Sequence, residues 1–448
     1  MLAVVFSSSQ PIPLKCLCLY QSPRNMVRRI LSNFIARLAT ALLSFGVVWL
    51  TARYLGAAGR GAVSLFVTDC AALLLFIGLL GGSSLIYLAP RRNLWHLLLP
   101  AYGWATAVCL AGTGVVALLR AVPPSYLGHL LMLALLQAFF SINTSLLLGR
   151  RQEATYNTLA AGQVALLAGG LFLAFAVWRW QQVPVYYYAS YLAYSLPLLL
   201  SLRALWQLPD RRRRGGRRLR ATVRELARHS RGAHFSNILG FANYRLSYYF
   251  VAHFVDARAV GILSVGVALT EAIWLIPRST ALVQYVDLVH AGKEATPPAS
   301  ALRVSRLTVL GTAGAVGALV LLPPTVLAAV FGPEFGAARP VILLLAPGGV
   351  VMALQILCSS YFAGLARYRI NNTASVLGLL VTLAACALLI PHLGIRGAAL
   401  ASTLSYSTST AFLLYHFYRA TGAAPWAFLP RRTDAVYAWS LVRGRPQP

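Results

Sequence analysis

"RYLGAAGRGAVSLFV" runs from Arg53 to Val67, and "HFVDARAVGILSVGV" runs from His253 to Val267. Aligned without a gap, 200 residues apart, Ala57, Gly61, Ser64 and Val67 fall on Ala257, Gly261, Ser264 and Val267. Tyr54, Leu55 and Val63 fall on the chemically similar Phe254, Val255 and Leu263. Each stretch closes one apolar run and opens the next, so the same turn is built twice. A second echo places Gly149 and Asn157 against Gly364 and Asn372, at an offset of 215. A chain that repeats its turns in this way is made of two related halves.

The bulk composition says where the halves sit. Hydrophobic residues are 58% of the 448 and charged residues 11%, against roughly 25% charged in soluble domains. Twelve apolar stretches follow, near 30–52, 62–88, 96–119, 126–148, 157–178, 185–206, 234–255, 260–289, 305–330, 340–364, 373–390 and 396–417. Each approaches the ~20 residues that a helix needs to cross ~30 Å of hydrocarbon. The runs are continuous rather than alternating, which selects helices over a barrel. Gly81-Gly82 and Pro277 interrupt the second and eighth stretches and predict bends there.

The longest loop, "PDRRRRGGRRLRATVRELARHSR" from Pro209 to Arg231, divides the spans six and six. It reads as a solvated basic linker facing anionic headgroups, ending in a short helix on the membrane surface. The expected organisation is a disordered leader 1–25, with Met26 the better start, then a six-helix lobe 26–208 and the linker 209–231. A second six-helix lobe, 232–419, and a cytoplasmic tail, 420–448, complete it. With the N-terminus inside, 27 basic residues fall in cytoplasmic loops and seven in outer ones. That asymmetry places both termini in the cytoplasm, as expected of a multi-pass plasma-membrane protein. The net charge of +29 then follows from topology, not from nucleic-acid binding.

Other classes fall away. Cys70, Cys109, Cys358 and Cys386 lie in spans, and no metal spacing or disulfide framework exists. "GTGVVA" at Gly112–Ala117 fits a dinucleotide fingerprint but lies inside an apolar span. No phosphate-binding nucleotide loop is present, so no cofactor and no ATP hydrolysis are expected. An even number of spans per half makes the halves parallel, related by an axis along the membrane normal. The predicted fold class is all-α and polytopic: twelve transmembrane helices in two pseudo-symmetric six-helix bundles around a central cavity. Two such bundles can rock against each other and act as a carrier.

"TARYLGAAGRGAVSL" (Thr51–Leu65), "NFIAR" (Asn33–Arg37) and "PHLGIRGAALAS" (Pro391–Ser402) resemble the multidrug/oligosaccharidyl-lipid/polysaccharide exporter superfamily. The similarity is greatest to its polysaccharide-transport branch, the O-antigen and capsule repeat-unit flippases. The resemblance implies a flippase of the bacterial inner membrane that moves an undecaprenyl-pyrophosphate-linked oligosaccharide outward by alternating access, for lipopolysaccharide or capsule. It implies a polysaccharide polymerase and glycosyltransferases as partners, and no enzymatic activity. Gly56, Gly61, Gly261, Gly394 and Gly397 suit tight turns and close helix approach. The other common two-bundle carrier fold carries an acidic-basic motif after its second span, whereas Ala89–His96 reads "APRRNLWH" without an acid.

Ionisable residues inside the spans carry whatever chemistry there is, since each costs ~2.5–3.5 kcal/mol at a helix centre. They are Arg37, Asp69, Arg245, Glu271 and Arg278. Arg203, Asp287 and Arg306 lie near span ends and can reach the interface. Arg37, Thr40, Ser44 and Thr51 share one helical face, as do Ser264, Glu271 and Arg278, with Pro277 able to rotate the last. The seventh span is polar, with Asn237, Tyr244 and Arg245 among its residues. The expected cavity site is Arg37, Thr40, Ser44, Asn237, Tyr244, Arg245 and Arg278, holding a pyrophosphate through guanidinium forks. Asp69 and Glu271 are candidates for coupling to a proton or sodium ion. The structural alternative is that Glu271–Arg278 and Asp69–Arg37 are helix-pinning ion pairs, or that Asp69 faces a loop. At the level of function the separate alternatives are a cation-coupled drug exporter, which would favour carboxylates in the cavity, and a membrane sugar-lipid ligase or polymerase, which needs larger outer loops.

Overall fold

A computed structural model describes residues 23–208, 219–291, 299–365 and 367–422, with Phe428 and Asp434. Residues 1–22 of the expected leader 1–25 and the arginine run 209–218 lie outside the described residues, whereas 23–25 belong to the first helix. Among those described, the chain is helical and contains no strand.

The first helix, α1 (Pro23–Gly81), has 59 residues. Straight, it would run about 89 Å at 1.5 Å per residue, far beyond one bilayer crossing. It is two spans merged across Gly56, whose φ of 67° and ψ of −175° belong to a region essentially reserved for glycine. The expected bend at Gly81-Gly82 separates α1 from the short α2 (Ser83–Leu88). The first half continues with α3 (Leu94–Leu119), α4 (Pro124–Gly149), α5 (Glu153–Phe172) with a π turn to Val177, and α6 (Val183–Gln207). The second comprises α7 (Leu219–Phe254), α8 (Ala257–Ile273), α9 (Leu275–Ala291), α10 (Ala299–Leu321), α11 (Pro324–Phe331), α12 (Arg339–Gly364), α13 (Tyr368–Leu393) and α14 (Ile395–Thr421).

Seven of these helices, or eight with the bent α8–α9 pair, are long and apolar enough to cross a membrane. The first of the seven is α1 with α2, which Gly56 divides into two spans. Three helices, α6, α7 and α14, fall short because they are polar. In α14 the polar groups turn inward: Ser402, Ser405, Ser409 and Thr410 are buried, and Thr410 Oγ1 donates to the Tyr406 carbonyl at 2.7 Å.

Two expected boundaries shift, and the bend expected in the eighth stretch forms. The ninth span ends at Leu321 rather than 330, because Pro323 and Pro324 break the ladder and Pro324 starts α11. The eighth bends by 41° between α8 and α9. The break falls at Trp274, since Pro277 lacks an N–H and clashes with the carbonyl four residues back, that of Ile273. The surface helix expected at the end of the linker 209–231 is not separate; from Leu219 it is the beginning of α7, which runs unbroken for 36 residues. Its Leu226 is buried in the core of the first half, and its Glu225 pairs with Arg92 of the α2–α3 loop at 3.0 Å.

The two quoted stretches meet. A Cβ on Gly61 would lie 1.6 Å from the Ala257 carbonyl oxygen, and one on Gly261 would lie 1.9 Å from that of Ala57. The contact is reciprocal, as a two-fold axis between repeat units requires. Alanine and glycine four apart on both helices let the backbones touch, and at this distance Cα–H groups face carbonyl oxygens. The α11 segment and the 3₁₀ turn after it cover the same face of the molecule. Trp49 Nε1 donates to the Val330 carbonyl at 2.9 Å, and the Ala57 N–H donates to Glu334 Oε2 at 2.7 Å. Glu334 also pairs with Arg258 of α8 at 2.8 Å. The face bearing the first turn of each half, opposite the Pro23 end of α1 and the Thr421 end of α14, is therefore sealed by contacts between the halves. Gly397 serves a local approach instead, its Cβ position 2.4 Å from the Leu389 carbonyl oxygen.

Candidate functional site: a basic cavity between the halves

Beneath that seal lies a cavity of about 740 Å³, walled by both arms of α1, by α5 and α6, and by α7 to α9. Its polar lining is built in steps of one helical turn. On the second arm of α1, Arg60, Ser64 and Thr68 recur every four residues, and each hydroxyl donates to the carbonyl one turn back, at 2.9 and 2.7 Å. The Arg60 guanidinium is buried and donates to Thr51 Oγ1 at 2.9 Å and, across the halves, to Ser264 Oγ at 3.1 Å. Both of its partners are neutral, so its charge is not cancelled there.

Opposite stand Arg245 of α7 and Glu271 of α8. They form a two-toothed pair, Nη1 to Oε1 at 2.9 Å and Nη2 to Oε2 at 3.0 Å. Arg278, one residue after Pro277 in α9, is exposed to the cavity. Its guanidinium stands 5.9 Å from the Trp274 ring, with no carboxylate within ion-pair distance among the described residues. Three guanidiniums thus face one carboxylate, and the lining is net positive. Tyr186, Tyr194 and Tyr248 add aromatic walls.

The structure gathers Ser44, Arg245, Glu271 and Arg278 of the expected residues in this cavity. Ser264, Glu271 and Arg278 share its wall despite the bend. Tyr244 lines a smaller neighbouring pocket instead. Thr40 and Asn237 are not in the cavity lining; the Thr40 carbonyl accepts from Ser44 Oγ at 2.7 Å, and Asn237 is exposed. Arg37 is placed in α1 by its backbone, its side chain outside the described residues. Glu271 pairs with Arg245, not with Arg278. Asp69 pairs with Arg120 at the end of α3 at 2.8 Å. Asp69 is buried and also accepts from Tyr126 of α4 and, at 2.9 Å, from Tyr249 of α7. It is held away from the cavity lining, in a network that joins the two halves.

Arg60 is the residue that the sequence reading missed. Counting it in an outer loop followed from starting the second span at 62, whereas the helix resumes directly after Gly56. The signal was present: Arg60, Ser64 and Thr68 form a polar stripe at four-residue spacing. No group of three or more potential metal ligands occurs among the described residues.

No protein-family model and no curated protein matches the chain. Solved structures do. A multidrug-resistance transporter of the MATE family and MOP superfamily, in an inward-facing conformation, aligns with a TM-score of 0.62 at 13% identity, over 86% of this chain and 95% of that one. The lipid II flippase MurJ, in an inward closed conformation, aligns with a TM-score of 0.65 at 10% identity, over 93% and 94%. A MOP-superfamily transporter from Pyrococcus furiosus, described as having a binding pocket of reversed polarity, aligns at 0.53 with 14% identity, over 88% and 95%. The chain is an all-helical, multi-span membrane protein whose two-lobed fold is that of the MOP-superfamily transporters.

Proposed function

We propose that this protein is a carrier for an anionic, lipid-linked sugar, and that the central cavity holds the pyrophosphate of an undecaprenyl-linked oligosaccharide. The observation that carries this reading is the charge of the lining: Arg60, Arg245 and Arg278 against Glu271 alone. A guanidinium cannot lose its proton and offers a planar fork that matches phosphate oxygens. Apolar side chains such as Leu42, Phe45, Val48 and Leu167 share the cavity, which suits the isoprenoid end of the same cargo. With one face sealed by Gly61, Gly261 and Glu334, the cavity is reached from elsewhere, and rocking of the halves about the seam delivers cargo across the membrane. The polysaccharide-branch resemblance of Thr51–Leu65 supports the sugar-linked substrate and the bacterial inner membrane as its place. A cationic drug would meet only one carboxylate here, already engaged by Arg245.

Arg245→Ala and Arg278→Ala are expected to abolish surface polysaccharide in the native host while the protein remains at normal abundance in the membrane. Unchanged polysaccharide in both variants would remove the basis for the assignment.

A further inference from the structure

Arg278 faces two hollows. Besides the central cavity it lines a second pocket of about 420 Å³ lying wholly within the second half, between α7, α9 and α12. The size is that of a small-ligand site. Its chemistry differs from that of the cavity. Around Arg278 stand Tyr244, Tyr285, Gln355, Ser359 and Ser360, and among the described residues no carboxylate lines it. Hydroxyls and amides both donate and accept, which is what a ring bearing several neutral hydroxyl groups needs, and tyrosine faces supply flat apolar area.

Further observations bear on the pocket wall. Ser360 Oγ is spent on the Ala281 carbonyl and ties α9 to α12, fixing the pocket's width. Among the described residues Gln355 makes only a long contact, its Oε1 standing 3.4 Å from Thr410 Oγ1, whose proton goes to the Tyr406 carbonyl, so its amide is available. Trp274 packs 5.8 Å from the Tyr244 ring. It is 2% exposed, and its indole N–H has no acceptor among the described residues. A buried donor left unpaired is uncommon, and this one stands beside the pocket, next to two of its lining side chains.

We infer that this pocket is a sugar subsite that selects the first carbohydrate units of the cargo, while the cavity reads the pyrophosphate common to all such lipids. The inference rests on the proposed function. Because Arg278 borders both hollows, a phosphate held by it leaves the attached sugar at the pocket's mouth. The second half therefore decides which glycan is moved, and among the described side chains the first half contributes Arg60 to recognition of the charge.

The test uses the full chain in lipid nanodiscs and two kinds of probe: undecaprenyl pyrophosphate, and the same lipid bearing one sugar, drawn from a panel of hexoses and N-acetylhexosamines. At least one sugar is expected to tighten binding to the unaltered protein by roughly tenfold, the worth of one or two net hydrogen bonds. Ser359→Trp fills the pocket and Gln355→Ala removes its amide. Both are expected to lose that gain while binding the sugarless lipid within about twofold of the unaltered protein. A gain that survives both variants, or no gain from any sugar, overturns the subsite and leaves the pyrophosphate site standing. Failure of the unaltered protein to bind undecaprenyl pyrophosphate overturns the proposed function, and the subsite with it.

Discussion

Gly61→Ala is the most direct probe of the seam between the halves. A methyl group there would sit 1.6 Å from the Ala257 carbonyl oxygen, with the Ala257 carbonyl carbon and the Gly261 nitrogen at 2.6 and 3.0 Å. All three are backbone atoms, so no side-chain rotation gives relief. A carbon–oxygen contact settles at about 3.3 Å, so the two helices must part by roughly 1.7 Å at that point. Overpacking of this kind typically costs ~1–3 kcal/mol, which displaces a two-state equilibrium by about 5- to 150-fold. The cost falls on the sealed arrangement alone, because the helices separate once that face opens. Spin labels on cysteines substituted at Ala58 and Phe254, both exposed, would report the separation by double electron–electron resonance in a background free of native cysteines. The substitution is expected to move population from a short to a long distance. Gly261→Ala should do the same, and the double variant should add less than the sum, because both act on one contact. Distance distributions unchanged in both single variants would refute the seam as the closing element.

Other consequences can be measured separately. Gly56→Ala forces a side chain into the backbone region at φ 67° and ψ −175°. A loss of ~1–3 kcal/mol is expected, read as a lower melting temperature in detergent; an unchanged melt would mean that the turn relaxes freely. Asp434→Ala removes a buried carboxylate bound through both oxygens to Arg306 at 2.7 and 2.9 Å. Losing one partner of such a buried pair is expected to cost ~3–5 kcal/mol, so the melting temperature should fall clearly, and no change would show that the tail contact contributes nothing. Glu271→Gln frees the Arg245 fork, so undecaprenyl pyrophosphate should bind more tightly while transport slows; weaker binding would contradict the role given to the pair.

The architecture was legible because hydrophobicity and repetition are long-range signals. Runs of apolar residues, a six-and-six division and the Ala57/Gly61 to Ala257/Gly261 match needed no side-chain detail. Pairing was not legible. Asp69 and Arg37 share one lobe and looked like partners, yet Arg120, at the far end of α3, reaches Asp69 first. Sequence distance carries no information about which helix a charge faces across a bundle. Periodicity did better within one helix, keeping Ser264, Glu271 and Arg278 on one wall. It failed for Thr40 and Asn237, because sharing a polar face does not say what lies opposite that face. Arg60 was lost to a boundary error of a few residues, which matters wherever a tight turn replaces a loop.

The repeat also divides what the two halves keep in common from what they do not. The positions that touch at the seam, Ala57 with Ala257 and Gly61 with Gly261, are identical in both copies. The charged positions are not. At the same offset of 200, Arg60 stands against Val260, Asp69 against Leu269, Arg245 against Phe45 and Glu271 against Ala71. A hinge between two bodies works only if both surfaces fit each other, which holds the contact to small residues on both sides. A binding site has no such need, because its cargo is not two-fold symmetric. A phosphate joined to a lipid at one end and a sugar at the other is best held by unlike walls. One wall carries Arg60 of α1, which also bonds across to Ser264; the other carries an arginine–glutamate pair. On the proposed function, the cargo phosphate and the Glu271 carboxylate would compete for the same fork, so that cargo would enter by exchanging one anion for another. Such an exchange keeps net binding modest, and modest binding is what lets a carrier release on the far side what it picked up on the near one.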